Sequence, residues 1–323
     1  MLEFVNTSLE VVYMSINAKA KFNLHSIHNK KVFLFITFIT IVILFSSCFV
    51  LAFNPVSSVK LESPDAKSEV SDKNVSNEMD LREIVNNVME PTIITLDNDI
   101  TLTNSALVIP AGKNITLTSN NGNGFFKLIG ANNAETIIVE ENCVLILAGI
   151  IVTHASGTYG EGVAIRPGGT LMMFDGGICN NTAGFGTIPD TDMTFMKAGG
   201  GVFNAGSFSM FGGEISGNTA RDGGGVYNNH ANFSMFGGKI FGNTAKDGGG
   251  VYNFRGNFNL YDGTIYGNTA DEQGGGVYSY TAGSGNGILS GSTGSFNAKS
   301  GAIYGNTVTN KNGNPDVYNW TTW

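Results

Sequence analysis

The chain has 323 residues, of which 44 are glycine and 14% are charged, and its formal net charge at pH 7 is −8. This composition is typical of thin-walled β structure rather than of a helical enzyme, and 7 prolines are too few for a collagen-like rod. Because phosphate backbones require a basic surface, the acidic balance excludes nucleic acid as a partner.

The first predicted element is an uncharged apolar stretch, Val32–Phe53. About 20 apolar residues cross a bilayer as a helix, so this stretch is predicted to be a signal peptide or a transmembrane anchor. Lysines precede it, and the residues that follow are net acidic. This asymmetry predicts that residues 1–31 are a basic cytoplasmic leader and that the remainder of the chain is exported.

The fate of this apolar stretch is open in the sequence. Val50-Leu-Ala52 offers small residues for signal-peptide cleavage, but the apolar run is longer than a typical signal-peptide core. A lipoprotein-type signal at Phe45-Ser-Ser-Cys48 is a third interpretation, although the run continues past the cysteine. Translation starts at either Met1 or Met14, and the second start would leave a compact basic leader.

Residues 54–78 show no sustained period and are predicted to form a flexible spacer. The folded domain is predicted to cover residues 79–323 and to begin with a short capping helix over Asp80–Val88. In this helix Asp80 and Glu83 have the spacing of an N-terminal capping pair. Its apolar stripe consists of Leu81, Ile84 and Val88.

Short apolar strands are predicted between residues 93 and 152, where apolar runs alternate with polar breaks. These runs are Ile93–Leu96, Ile100–Leu102, Leu107–Ile109, Ile115–Leu117 and Val144–Leu147. They are interpreted as less regular turns of the coil that the following repeats describe.

Two short motifs recur in alternation between residues 199 and 307. The first, Gly-Gly-Gly-Val followed by an aromatic residue, begins at Gly199, Gly223, Gly248 and Gly274, and its valines lie 24, 25 and 26 residues apart. The second, Ile-x-Gly-Asn-Thr, begins at Ile215, Ile240, Ile265 and Ile303. Between them, runs such as Phe233-Ser-Met235 place apolar residues two apart, the period of a strand with one buried face.

Glycine clusters after each short strand predict sharp corners, because glycine accepts positive φ without steric cost. Three strands and three corners in about 25 residues describe one turn of a wide coil, and stacked identical turns form a parallel β-helix. Such a solenoid grows in one dimension, so its length does not require a second domain.

The string Ile-x-Gly-Asn-Thr-Ala-x-x-Gly-Gly-Gly-Val-Tyr-Asn resembles the repeats of right-handed parallel β-helix surface proteins. These are the adhesin-like and polymorphic outer-membrane families, which have a pectin-lyase-like fold. The close match covers roughly residues 162–320. The resemblance implies an all-β, right-handed parallel β-helix and a secreted or surface-attached location, and it carries over no catalytic residues.

Strand alternation predicts an outward row of aromatic side chains, Phe203, Tyr227, Tyr252 and Tyr278, because the preceding valines point inward. A second row is Phe241, Tyr266 and Tyr304. Exposed aromatic rings stack on sugar rings or form a protein-binding patch. The alternative interpretation is that the rings stack on one another and stiffen the sheet.

Two insertions interrupt the repeats, and irregular loops on a rigid scaffold are common binding sites. The insertion over residues 184–197 carries Asp190, Asp192 and Lys197, which are therefore candidate ligand-binding residues together with Tyr227, Tyr252 and Tyr278. A second, glycine- and serine-rich insertion covers residues 280–294. Ordinary loop drift is the alternative for both.

Two polar rows recur with the coil. Asn218, Asn243, Asn268 and Asn306 are predicted to be structural, because stacked amides satisfy backbone groups at a corner. The acidic row Asp222, Asp247 and Asp271 resembles the carboxylates that β-helix lyases and hydrolases use as acids, bases or metal ligands. Because this row repeats with every turn, it is assigned to the corner, and no catalytic residue is predicted.

Cys143 and Cys179 are the cysteines of the exported part, and they either pair or act as separate buried thiols. The chain has no Cys/His metal motif, and no metal or other cofactor is predicted. The glycine triplets lack the Lys-Ser/Thr of a phosphate-binding loop and are interpreted as corners.

These features predict an exported surface or secreted β-helix protein that acts in adhesion or envelope structure and binds a glycan or another cell-surface protein. Membrane attachment would come through Val32–Phe53 if that stretch is not cleaved. The alternative is a carbohydrate-active enzyme, a polysaccharide lyase or hydrolase, on the same fold.

Overall fold

The computed structural model describes residues 70–119, 122, 124–187, 194–281, 294–310 and 313–321. They belong to one compact unit, Lys67–Trp323. The leader and the apolar stretch Val32–Phe53 lie outside the described residues. Among the residues that are described, no helix is long and apolar enough to cross a membrane.

The described residues form one α-helix, α1 (Glu78–Asn87), and a succession of short strands. The strands are β1 (Ser71–Val75), β2 (Thr92–Leu96), β3 (Ile100–Thr101), β4 (Leu107–Ile109), β5 (Asn114–Ser119), β6 (Lys127–Gly130), β7 (Ile137–Val139), β8 (Val144–His154), β9 (Val163–Ile165), β10 (Thr170–Cys179), β11 (Phe185–Thr187), β12 (Thr194–Met196), β13 (Val202–Asn204), β14 (Ser207–Met210), β15 (Glu214–Ser216), β16 (Val226–Asn229), β17 (Asn232–Phe241), β18 (Thr244–Asp247), β19 (Val251–Phe254), β20 (Asn257–Tyr266), β21 (Thr269–Gln273), β22 (Val277–Thr281), β23 (Ser295–Ala298), β24 (Ala302–Tyr304), β25 (Thr307–Val308) and β26 (Val317–Thr321).

Within the described residues, the parallel strands form three sheets. Sheet 1 has the order β1-β2-β5-β8-β10-β14-β17-β20-β23 and also includes β3, β6, β15 and β24. Sheet 2 has the order β4-β7-β9-β13-β16-β19-β22-β26, and sheet 3 has the order β18-β21-β25. The chain visits the sheets in rotation, so each strand pairs with its counterpart one turn away. This confirms the predicted parallel β-helix as a parallel β-solenoid.

The core is a set of columns along the solenoid axis. The valines that begin β9, β13, β16, β19 and β22 are fully buried and pair in register, as Val202 does with Val226 and Val226 with Val251. On the opposite wall Phe208, Phe233 and Phe258 stack at centroid distances of 4.7 and 4.6 Å. The period-two pattern therefore predicted the inward residues correctly, because alternate side chains of a strand face opposite sides.

The first glycine of each triplet forms the predicted corner. Gly223, Gly248 and Gly274 have φ values of +66°, +65° and +61°, a conformation that other residues rarely adopt. The second glycine has a packing role. A Cβ at Gly224 would lie 2.5 Å from the carbonyl oxygen of Thr244, so the adjacent turn leaves no room for a side chain.

The N-terminal end differs from the sequence-based prediction in two ways. Ser71–Val75, assigned to the flexible spacer, forms β1 and pairs with β2. The helix begins at Glu78, and its N-cap is Asn77, whose Oδ1 accepts a hydrogen bond from Asp80 N at 3.0 Å. The proposed Asp80 and Glu83 capping pair is therefore wrong. Asp80 instead lies three residues after the cap and accepts a hydrogen bond from Asn77 Nδ2.

Candidate functional site

A pocket of about 400 Å³ opens on the outer face of sheet 2. Four charged side chains line it: Glu135, Glu161, Arg166 and Lys197. Two aromatic side chains, Phe203 and Tyr227, and the Asn229 amide also line the pocket. The structure thus brings two predicted site residues, Lys197 and Tyr227, to one place, beside charged residues that the sequence-based prediction missed.

Strand register places the aromatic residues on this face. Ala164, Phe203 and Tyr227 are partners in β9, β13 and β16, each directly after an inward valine. Alternation turns them to the outer side of the sheet. Because Ala164 carries only a methyl group, the aromatic row stops at Phe203, and the pocket lies at this end of the row.

Glu161 is the most recessed charged group of the pocket. The residue is 5% exposed, and its Oε1 lies 3.9 Å from Lys197 Nζ, which is an ion pair but not a hydrogen bond. Burial raises the pKa of its carboxyl above the ordinary value, and Glu135 adds to this effect. The charge of Lys197, a hydrogen bond from the backbone N–H of Glu161 itself and the charge of His154 act in the opposite direction.

The ion pair between Arg166 and Glu135 has the same arrangement as the pair between Lys197 and Glu161. Arg166 Nη2 lies 4.0 Å from Glu135 Oε1, and the two side chains are 43% and 20% exposed. In the first pair the Lys197 side chain is 41% exposed and that of Glu161 is 6% exposed. The carboxylates therefore form the inner part of the pocket, and the cations form its rim.

His154 packs behind the pocket. Its Nδ1 lies 2.9 Å from Asn181 Oδ1, and its Nε2 lies 3.0 Å from the carbonyl oxygen of Ala134. A Cβ at Gly160 would lie 2.4 Å from this Nε2, so the residue before Glu161 must be small. The imidazole ring thus packs against the backbone that carries Glu161.

The predicted aromatic row continues along sheet 2 from the pocket. The rings of Phe203 and Tyr227 stack at 5.5 Å, and those of Tyr252 and Tyr278 stack at 4.7 Å. Tyr227 and Tyr252 instead meet edge to face, with 82° between their planes. The rings thus contact one another along the row, the geometry that the alternative interpretation expects. Phe203 and Tyr227 also line the pocket.

The tyrosine hydroxyls of this row are poorly solvated. Burial raises the pKa of Tyr227 to about 12, and the nearby charge of Asp222 contributes. Burial also raises the pKa of Tyr252, with a further contribution from Tyr278. Both phenols are therefore neutral hydrogen-bonding groups near neutral pH.

The asparagine row forms a continuous chain of side-chain hydrogen bonds. Asn218 Nδ2 donates to Asn243 Oδ1 at 3.0 Å, and Asn243 Nδ2 donates to Asn268 Oδ1 at 2.9 Å. Asn268 Nδ2 donates to Asn306 Oδ1 at 2.9 Å. The row begins one turn earlier, at Asn181, whose Nδ2 donates to Asn218 Oδ1. Each amide also bonds backbone groups, so these side chains hold the corner together.

The predicted acidic row is wrong at its third member. Asp222 pairs with Asp247 in parallel register, but Asp247 pairs with Gln273, because the next turn contains one additional residue. Asp271 is exposed, and its carboxylate accepts a hydrogen bond from Thr309 Oγ1 at 3.3 Å. Burial raises the pKa of Asp247 to about 6, with contributions from Asp222 and Glu272. Burial also raises the pKa of Asp222.

The first insertion contributes Lys197 to the pocket. Its strands β11 and β12 pair antiparallel, and Lys197 follows β12 directly and donates its backbone N–H to Gly184 O at 2.8 Å. Asp190 and Asp192 lie outside the described residues, as does most of the second insertion. Their assignment to ligand binding stays a prediction.

Cys143 and Cys179 are free thiols, so the alternative of a disulfide between them is wrong. Cys143 is buried, and burial raises its pKa to about 11. Within the described ranges, no group of three or more His, Cys, Asp or Glu side chains is placed to hold a metal ion.

No protein-family model and no curated protein matches the chain. Among solved structures, it is similar to a pectate lyase from Bacillus sp. N165 in complex with trigalacturonate. The identity is 14% and the TM-score is 0.28, and the alignment covers 78% of this chain and 86% of that chain. The parallel β-solenoid is established by strand register and does not depend on this similarity.

Proposed function

We propose that the chain is an exported β-solenoid protein that binds a glycan through the outer face of sheet 2 and acts in adhesion or envelope structure. The observation that carries this proposal is the pocket beside Phe203 and Tyr227, where aromatic rings and paired charges surround one cavity. Export and surface location are supported by the uncharged stretch Val32–Phe53 and by the resemblance of the repeats to surface proteins.

The chemistry of the pocket suits a sugar. Sugar rings have an apolar face that packs on aromatic side chains and a rim of hydroxyls that requires hydrogen-bonding partners. Phe203 and Tyr227 supply the first kind of surface, and Glu135, Glu161, Arg166, Lys197 and Asn229 supply the second. A small apolar ligand would displace water from these polar groups without replacing its hydrogen bonds, at a cost in binding free energy.

A carbohydrate-active enzyme is the second candidate, and the paired carboxyls of Asp222 and Asp247 favour it. They lie on adjacent turns, and the pKa of Asp247 is about 6, so this group exchanges protons near neutral pH. The corner position of both residues in the repeat supports a structural role instead.

Incubation of the purified chain with plant, microbial and host polysaccharides distinguishes the two candidates. Both retention on the polymer and release of new sugar ends would be measured. Binding predicts retention without release, and a loss of retention in Tyr227→Ala. The matched control is Tyr266→Ala, because Tyr266 stacks between Phe241 and Tyr304 on sheet 1. Release of new ends that disappears in Asp247→Ala would establish the enzyme instead.

A further inference from the structure

We propose that Glu161 is the group that recognises the ligand in this pocket, and that the ligand is an uncharged sugar with adjacent hydroxyls rather than an anionic or amino sugar. This inference rests on the proposed glycan-binding function and deepens it by naming the ligand class. Three features of the pocket carry it: the burial of Glu161, the pairing of the charges, and a departure from the repeat.

The burial of Glu161 leaves its carboxylate with fewer hydrogen-bond donors than it would have in water. The side chain is 6% exposed and faces the pocket, but Lys197 Nζ is 3.9 Å away, which is too far for a hydrogen bond. The backbone N–H of Glu161 itself hydrogen-bonds to the carboxylate. One such bond and an ion pair at this distance do not restore the full hydration of a buried carboxylate. Two hydroxyl groups on neighbouring carbons would supply two short, charge-assisted hydrogen bonds to the two carboxylate oxygens.

The charges of the pocket balance one another. Lys197 lies next to Glu161, and Arg166 lies next to Glu135, so each cation already has a carboxylate within 4.0 Å. A uronate would compete with these carboxylates for the cations, and an amino sugar would compete with the cations for the carboxylates. A neutral sugar adds no net charge and keeps both ion pairs, which favours it electrostatically.

In later turns of the solenoid, the position equivalent to Glu161 has no room for a side chain. Glu161 corresponds to Gly200 in the next turn, as the pairing of Val163 with Val202 shows. At Gly200, Gly224, Gly249 and Gly275 a Cβ would lie 2.4 to 2.7 Å from backbone oxygens. The position is glycine from Gly200 onward, whereas the two preceding turns carry Glu135 and Glu161 there, and both carboxylates line the pocket.

The test uses the full chain in detergent micelles and hexasaccharide probes of three kinds. These are neutral hexamers of glucose, mannose, galactose and xylose, a galacturonate hexamer, and a glucosamine hexamer. Calorimetric titration is expected to give binding of a neutral probe that is at least about tenfold tighter than that of either charged probe. Glu161→Gln is expected to weaken the neutral probe by about tenfold or more, because a charged acceptor is lost.

Glu141→Gln is the matched control, since Glu141 is an exposed carboxylate outside the pocket. Thermal unfolding of each variant shows whether it is folded. Neutral-probe binding is also expected to weaken as the pH falls through the range in which Glu161 takes up a proton, because protonated Glu161 accepts hydroxyl donors less well.

The outcomes separate the two proposals. Equal or tighter binding of a charged probe, or full binding by folded Glu161→Gln, would overturn the inference. If Phe203→Ala loses binding in that case, the glycan-binding function still stands. Failure of every probe to bind the wild-type chain would count against both.

Discussion

Glu161 occupies, in its own turn of the solenoid, the position that Gly200 occupies in the next turn. Val163 N donates to Gly201 O at 2.9 Å, and Val202 N donates to Gly225 O at the same distance one turn later. The two segments therefore have equivalent backbone pairing and differ in the residue before the last glycine. This difference places a carboxylate at the inner end of the pocket, where the later turns have no side chain.

The glycine requirement in the later turns is testable. Gly224→Ala would place a Cβ 2.5 Å from Thr244 O and 2.7 Å from Gly249 O, so a backbone shift is required. We expect a loss of about 2 kcal/mol or more in the free energy of unfolding, measured by urea denaturation. Glu161→Gly restores the motif and is expected to change that free energy by about 1 kcal/mol or less. Equal stability of Gly224→Ala and wild type would contradict the packing role.

The hydrogen-bonded asparagine row predicts a large loss of stability when one of its amides is removed. Asn243 Nδ2 donates to Ile215 O and Asn268 Oδ1, and its Oδ1 accepts from Asn218 N and Nδ2. Asn243→Ala leaves several of these groups buried without partners, so we expect a loss of roughly 3 to 5 kcal/mol in urea denaturation. Asn297→Ala, at an exposed asparagine, is the control and is expected to cost less than about 1 kcal/mol. A loss in Asn243→Ala that is no larger than the small loss expected for Asn297→Ala would show that the row does not stabilise the fold.

The raised pKa of Asp247 predicts a pH-dependent gain in stability on substitution. Its folded pKa of about 6 exceeds the ordinary value of 3.8, so folding favours the protonated form. The stability that this group contributes is present below about pH 4 and is lost as the pH rises through about 6. Asp247→Asn is therefore expected to be more stable than wild type by about 2 kcal/mol near pH 8, with little difference near pH 4.

Urea denaturation at both pH values measures this effect, and Asp72→Asn is the control at an exposed aspartate on β1. A gain of equal size at both pH values would mean that ionisation of Asp247 is not its cause. A loss of stability near pH 8 would mean that the carboxylate stabilises the corner.

Two stacks of aromatic rings, one buried and one partly exposed, predict different losses of stability when a phenylalanine in each is replaced by alanine. Phe233 is fully buried between Phe208 and Phe258, whereas Phe236 is 42% exposed and stacks between Phe211 and Tyr261. Phe233→Ala is expected to lower the free energy of unfolding by about 3 to 5 kcal/mol, because it leaves a cavity. Phe236→Ala is expected to cost about 1 kcal/mol, mostly from lost stacking. Calorimetric melting of both variants measures these losses. A larger loss in Phe236→Ala than in Phe233→Ala would contradict the assignment of Phe233 to the interior.

The fold was largely predictable from the sequence because the repeat is local and regular. The inward valines and the buried Phe208 column follow from period-two alternation within each motif. The corners follow from the positive φ that glycine accepts. The helix start was misplaced because Asp80 has the chemistry of an N-cap, yet Asn77 holds that position. Asp271 was misplaced because one additional residue before Gly274 shifts the register.

The pocket was less predictable because its charged residues lie in the irregular turns. Glu135 and Glu161 precede the turns that match the repeat closely, and Arg166 follows a strand without the aromatic residue of later turns. One signal was present in the sequence, since Gly160-Glu-Gly-Val163 is the glycine motif with its second glycine replaced by glutamate. In a regular repeat, such a charged exception is a stronger indication of a site than the repeated residues are.

The most direct test of glycan binding is a crystal structure of the chain with an oligosaccharide that it retains in the binding experiments. Glycan binding at this pocket predicts a sugar ring packed against Phe203 and Tyr227, with two hydroxyls within hydrogen-bonding distance of the Glu161 carboxylate. A sugar bound elsewhere, with this pocket empty, would contradict it.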